Sequence, residues 1–420
     1  MRSVLLANRS RVADAAMELI VLLGLTLAAV QAQTFTVLHT FSGGADGANP
    51  LAGLTLDQAG NLYGTASQGG VGYGNVFKLA HQVSGWVLNP LYQFHGLPDG
   101  FFPEARVVFG PDGTLYGTTF YGGIAGGGCA QGGPLQCGTV FQLKPPPSAC
   151  KTALCPWTET QLYEFNSQPN LFWPNFGDLI FDHAGNLYGV AFEGGQYNGG
   201  VFQLTPSNGG WTETNIYTFP YNGNGEPIGG VTSDTAGNLY GTTYGTPPAS
   251  RYGTVYELTP SGSGWTESTL YTFQNGSDGA SPRGDLIMDA AGNLYGTTSV
   301  GGPGVGGTVW ELSPSNGSWI YGVIYSFPGS NFGPFGPVLM DAAGNLYGTT
   351  LAGGAYQEGS VFKLTNTDGA WTYTTLHDFS NGSDGRSPYG HLILDSNGNL
   401  YGTAGWGGST NNGVIWEITP

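Results

Sequence analysis

The chain has 420 residues, of which 74 are glycine, 13% are aromatic and only 9% are charged, a composition of many turns and aromatic-rich strands rather than of helices. Its formal charge of −17 gives the counterion-release term of nucleic-acid binding the wrong sign, which excludes nucleic acid and anionic membrane and leaves cations and neutral polymers as partners. A length beyond what one ordinary core fills calls for several domains or a repeat array.

At the N-terminus, Arg2, Arg9 and Arg11 precede an uncharged apolar run over 19–30, and Val30-Gln31-Ala32 places small residues where signal peptidase cuts. The expectation is a signal peptide over 1–32, with Met17 as an alternative start, and a mature chain from Gln33 released to the periplasm or medium. The apolar run is short of the roughly 20 residues that cross a bilayer, and no comparable stretch follows it.

The mature chain opens on an alternating segment, TFTVLHTF over 34–41. Beyond it one phrase occurs seven times, Leu-Tyr-Gly, at Tyr63, Tyr116, Tyr188, Tyr240, Tyr295, Tyr347 and Tyr401. The copies are 52 to 55 residues apart except for one interval of 72, which contains all four cysteines. Each unit resolves into four short strands, a to d; in the fifth unit they read 285–289, 293–298, 307–312 and 319–327. A D-x-x-G-N turn joins a to b, with Asp bonding its own backbone and Gly taking positive φ. Four antiparallel strands per unit is the arithmetic of a propeller blade.

The chain ends on an orphan c strand, so pairing strand 34–41 with strand 413–418 completes a seventh blade and leaves no open edge. The prediction is an all-β, seven-bladed β-propeller, a single domain over 33–420, monomeric, with insertions within 119–156. In an exported chain Cys129, Cys137, Cys150 and Cys155 read as two disulfides, of which the sequential pairing is the preferred connectivity. Their spacings, C-x7-C and C-x4-C without a nearby His, do not suit zinc.

The segments GNLYGTT, GG and GTVFKL resemble the GloVer-type tandem repeats of bacterial surface and secreted proteins, over essentially the whole mature chain. The D-x-x-G-N-L-Y segments also resemble NHL-type propeller repeats, although the following Gly-Thr-Thr and the Trp-led d strand depart from that pattern. The resemblance implies an exported propeller and carries no catalytic residues with it.

In an up-and-down blade the d-to-a and b-to-c connections share one face. The b-to-c loops vary most, and on them lie Tyr73, Tyr121, Tyr244, Tyr252, Tyr356 and Trp406, aromatics suited to stacking on sugar rings or to ordinary loop packing. The d-to-a loops carry Asp46, Asp99, Asp278 and Asp384 at one equivalent position. By symmetry these would form a ring of oxygens suited to calcium; the plainer reading is that they close their own turns. Asp57, Asp182, Asp234, Asp289, Asp341 and Asp395 sit in the tight a-to-b turns and read as structural. Trp86, Trp157, Trp211, Trp265, Trp319 and Trp371 recur in the d strands, as inter-blade packing requires.

The six histidines share no metal-ligand spacing, and neither a nucleophile elbow nor a phosphate loop is present, so no catalytic residue is assigned. Asp285 and Glu104, each at the start of an a strand, are the carboxylates from which glycoside chemistry would be built, although solvated loop carboxylates explain them as well. Three functions remain. The first is a binding scaffold for an extracellular polysaccharide or protein surface, the second a propeller lyase or hydrolase acting on carbohydrate, and the third a purely structural surface protein. The first is preferred, and an enzyme is disfavoured for want of a constellation.

Overall fold

The computed structural model describes residues 33–123, 137–147, 156–165, 170–174, 176–194, 198–220, 225–245, 252–262, 264–329 and 333–420. Among these there is no helix, and seven four-stranded antiparallel sheets form, one for each repeat. In the first blade strands a to d are Thr55–Leu56, Leu62–Ala66, Asn75–Gln82 and Gly85–Gln93. The seventh blade draws Ile393–Leu394, Leu400–Ala404 and Val414–Thr419 from one end of the chain and Thr34–Thr40 from the other. Thr34 stands opposite Thr419, Phe35 opposite Ile418 and Val37 opposite Trp416. The ring therefore closes as the orphan strands predict, and no blade is left with an unpaired terminal edge.

The repeated phrase has a direct packing cause. Strand b is buried along its whole length, and its Leu and Tyr enter hydrophobic clusters that span two blades. The Gly that follows Tyr faces an aromatic ring from strand c: a Cβ on Gly296 would lie 2.4 Å from the Trp310 indole, and one on Gly402 2.3 Å from that of Trp416. Only a residue without Cβ lets a ring that large fill the interior of the blade.

The a-to-b turn is a small hydrogen-bonded network. Asp57 Oδ1 accepts from the backbone N–H of Ala59 and Asn61, while Oδ2 accepts from Asn61 Nδ2 at 2.8 Å and from Tyr63 Oη at 3.1 Å. The same pattern recurs at Asp182, Asp234, Asp289, Asp341 and Asp395. The second blade departs from it, because Gly110 replaces Asp and the Tyr116 ring occupies the space a Cβ would need.

Neighbouring blades are joined by the d-strand tryptophans. Trp86 meets Tyr401 of the preceding blade edge-on at 6.2 Å, Trp157 meets Tyr63, Trp211 meets Tyr116, Trp265 meets Tyr188 and Trp319 meets Tyr240. Trp371 packs in the same cluster as Tyr295. The regular spacing of tryptophan is thus the spacing of blade interfaces.

Strand a is shorter than its sequence suggests. In the fifth blade only Ile287–Met288 pair with strand b, against a five-residue expectation. Pro282 and Gly284 precede them, the first without an N–H to donate, so the chain reaches the channel before regular pairing begins. The d-to-a and b-to-c loops touch through bridges between Ala48 and Gln68, Phe101 and Tyr121, Ala280 and Val300, and Arg386 and Trp406. They share one face, as the topology requires.

Of the four cysteines, only Cys137 lies among the described residues. It is buried and is not a free thiol. Cys129, Cys150 and Cys155, and with them the expected pairing, lie outside the described residues, as does the segment 1–32.

Candidate functional site

Because each strand a enters the blade beside the central axis, equivalent residues from seven blades meet there. Two inward-facing positions, four and six residues before the turn, differ from blade to blade while everything around them repeats. The outer position carries Leu51, Glu104, Phe176, Ile228, Arg283, Phe335 and Tyr389; the inner carries Gly53, Arg106, Asp178, Gly230, Asp285, Pro337 and His391. All of these except Asp178 and Gly230, together with Ala52, Gly284, Gly336 and Gly390, line a cavity of about 30 Å³ at the mouth of the channel on the loop face.

The inner ring is an ionic cluster. Arg106 Nη2 lies 2.6 Å and Nε 2.7 Å from Asp178 Oδ2. His391 bridges the two acids, with Nδ1 3.4 Å from Asp178 Oδ2 and Nε2 3.5 Å from Asp285 Oδ2. Asp285 also accepts from the N–H of Gly230 at 2.6 Å. Burial raises the Asp285 carboxyl and Asp178 adds to the rise, whereas His391, the Gly230 N–H and Arg106 oppose it. Asp178, Asp285 and His391 offer ligand atoms within 4.8 Å of one another. Arg106 already neutralises this set from within, so the arrangement suits a self-satisfied network better than a cation.

The outer ring is aromatic and less satisfied. Tyr389 stacks near Phe176 at 5.9 Å, meets Phe335 edge-on at 5.1 Å and lies 6.0 Å from Trp406. The Arg283 guanidinium is held between Tyr244 and Phe335, 4.3 Å from each ring centroid. Burial pushes the Glu104 carboxyl up to about 7. Burial also raises the Tyr389 hydroxyl, with Arg283 opposing the shift and Glu104 reinforcing it. The mouth thus combines flat apolar surface with groups that donate, accept and exchange protons near neutral pH.

With this geometry in place the repeat can be assigned. The Gloeobacter/Verrucomicrobia repeat model matches residues 122–333 and 173–416. The chain belongs to this repeat family. No curated protein matches this Gloeobacter/Verrucomicrobia repeat protein in sequence. Solved structures share its fold. The extracellular domain of the one component system BT4673 from B. thetaiotaomicron is 11% identical with a TM-score of 0.54, over 92% of this chain and 40% of that one. PorZ, an essential surface component of the type-IX secretion system of Porphyromonas gingivalis, is 13% identical with a TM-score of 0.53, over 88% of this chain and 46% of that one. Polysaccharide lyase Uly1 is 12% identical with a TM-score of 0.51, over 94% of both chains. This repeat protein spans less than half the length of the first two, and at such identities the likeness is one of fold.

The residues nominated from the repeat protein's sequence divide between the mouth and its surroundings. Tyr244 clamps Arg283, Trp406 backs Tyr389, and Tyr121 packs against Phe101, Phe120 and Trp173. Tyr73, at 40%, and Tyr356, at 61%, are exposed on outer loops, while Tyr252 packs against the core. Asp46, Asp99, Asp278 and Asp384 each serve their own loop: Asp278, for example, accepts from Gln274 N, Gly276 N and Tyr271 Oη. Asp46 and Asp384 accept from Ser42 and Ser380 and face His39 and His377, and Asp99 accepts from His95 N and Tyr92 Oη. None of the four belongs to the three-ligand group found among the described residues.

Glu104 and Asp285 do meet in one pocket, on different layers. Sequence reasoning missed Arg283, Phe335, Tyr389, Arg106, Asp178 and His391. The signal was available: in a repeat this regular, the two columns that refuse to repeat beside an invariant turn mark the axis.

Proposed function

We propose that the protein is an exported β-propeller that binds an extracellular saccharide chain across the channel mouth, on the face shared by the d-to-a and b-to-c loops. The observation that carries this reading is the convergence of Tyr389, Phe335 and Phe176 with Arg283 and Glu104 around one concavity, with Trp406 packed against Tyr389. Aromatic faces take the apolar faces of sugar rings, and the polar groups between them fix orientation. In this reading the chain lies over the mouth and sends one substituent inward.

The signal peptide over 1–32, the pairing of Cys129 with Cys137 and Cys150 with Cys155, and a monomeric state belong to the same proposal. Among the described residues no helix is long and apolar enough to cross a membrane. A screen of the purified protein on a glycan array, with calcium and with chelator, tests the reading. Binding to one class of saccharide supports it, and calcium dependence would bring Asp46, Asp99, Asp278 and Asp384 into the account. Absence of binding in both conditions removes it.

A second reading, a carbohydrate-active lyase or hydrolase, is favoured by one specific observation. Glu104, with its carboxyl at about 7, shares the pocket with His391 and Asp285. A group poised near neutrality is suited to general acid–base work. Release of shorter oligosaccharides from a bound polysaccharide, abolished by Glu104→Gln, would establish this reading, and intact polymer after prolonged incubation would reject it.

A further inference from the structure

Resting on the saccharide reading above, we propose that the channel mouth selects an acidic saccharide, whose carboxylate enters the cavity and is held by the guanidinium of Arg283.

The two arginines of the channel are used differently. Arg106 is committed to Asp178 by its Nε and Nη2. Arg283, one layer nearer the loop face, makes no hydrogen bond or ion pair among the described residues, and its Nε is buried without a partner. The rings of Tyr244 and Phe335 each lie 4.3 Å from its guanidinium carbon. Arg283 is among the residues that line the cavity. The planar fork of a guanidinium matches a carboxylate in two parallel hydrogen bonds, and the aromatic clamp removes the rotamer freedom that such binding would otherwise cost. A buried donor left unsatisfied carries a free-energy penalty.

Size and charge agree. At about 30 Å³ the cavity is small and takes a planar group such as a carboxylate. Asp178 pairs with Arg106, Asp285 faces His391, and burial pushes the Glu104 carboxyl up to about 7, so none of these carboxylates is paired with Arg283. The chain's formal charge of −17 repels polyanions at long range, but that field is screened within about 8 Å at physiological salt. Contact selectivity is set inside the mouth, where Arg283 is a cation without an ion pair among the described residues.

The test is an array of uronic-acid oligosaccharides, each printed beside its methyl ester, together with neutral glycans and polyglutamate. The ester keeps the shape and removes the charge. The native protein is expected to prefer at least one acid over its ester by about tenfold or more, a difference near 1.4 kcal/mol. Arg283→Met should reduce the ratio to near one, and Arg283→Lys should retain part of it, with thermal melts showing that both variants fold. Equal binding of every acid and ester overturns this inference and leaves the saccharide reading standing. Binding to no saccharide at all overturns both. Arg283-dependent capture of polyglutamate with no saccharide bound would make the ligand an acidic peptide and overturn the saccharide assignment.

Discussion

Arg106 Nη2 lies 2.6 Å from Asp178 Oδ2 inside the channel, joining the second blade to the third. Asp178 also accepts from the Arg106 backbone N–H at 3.2 Å and faces His391 of the seventh blade, so one buried carboxylate ties together three blades. Removing the guanidinium leaves that charge in a low-dielectric interior. Arg106→Ala should therefore destabilise the protein by about 3 kcal/mol, whereas Arg106→Leu combined with Asp178→Leu should recover most of the loss. Denaturant midpoints of the two variants decide. A single variant as stable as the parent would mean that the cluster is solvated and carries no weight.

The turn network predicts a graded series. Asp57 accepts four hydrogen bonds, and Tyr63 Oη supplies one of them. Tyr63→Phe should cost about 1 kcal/mol and Asp57→Ala about 2 kcal/mol. In the second blade the sign is opposite to what the pattern suggests. Gly110→Asp looks like a repair, yet its Cβ would fall 2.5 Å from the Tyr116 ring. It should destabilise, and a gain in melting temperature would refute this account of Tyr116.

Acid lability follows from the same carboxylates. Burial alone would raise Asp57, Asp182, Asp234, Asp289, Asp341 and Asp395. Hydrogen bonds from the Asn and Tyr side chains and the turn backbone outweigh it and hold all six below the ordinary range. A depressed folded value contributes stability that is full above the unfolded value near pH 4 and is lost as pH falls through the folded value. Glu104 and Glu159, both raised to about 7 by burial, act the other way and cost stability as pH rises toward 7. Denaturant midpoints should fall steeply below pH 4. Replacing Asp289 by Asn should weaken that dependence; an unchanged slope would contradict the network.

The architecture was readable because its causes are periodic. Leu-Tyr-Gly recurs since strand b must be buried and must clear an aromatic ring in strand c, and Trp recurs since six of the seven blades meet the preceding one through it. Closure was readable from the two orphan strands. The site was not, because it is assembled from single residues contributed by separate blades, as far apart as Leu51 and Tyr389. Its members appear as isolated irregularities: an Arg after Pro282, a Tyr after Pro388. The exposed aromatics drew attention to Tyr73 and Tyr356, whereas the axis brings together Tyr389, Phe335 and Arg283.

If a carboxylate enters beside Arg283, its affinity depends on Glu104. Tyr121, Tyr389, Arg283, Arg106, Asp178, Asp285 and His391 also face this region. Among them Glu104 is pushed up by burial to about 7, and above that pH it adds a negative charge to the mouth. Binding of an acidic oligosaccharide should weaken as pH rises from 6 to 8 by about three- to tenfold, a loss that Glu104→Gln should abolish. Titration calorimetry across this range checks it. A dependence that survives in Glu104→Gln would place the titrating group elsewhere.

The central claim is that binding occurs at the channel mouth and not on the outer loops. The most direct measurement is the affinity of Tyr389→Ala and Tyr356→Ala for whichever saccharide the native protein captures, with melting temperatures to confirm folding. Tyr389→Ala should lose affinity by about tenfold or more, since it removes the central aromatic face, and Tyr356→Ala should bind like the parent. The reverse outcome, binding lost with Tyr356 and retained without Tyr389, would contradict the account and move the site to the outer loops.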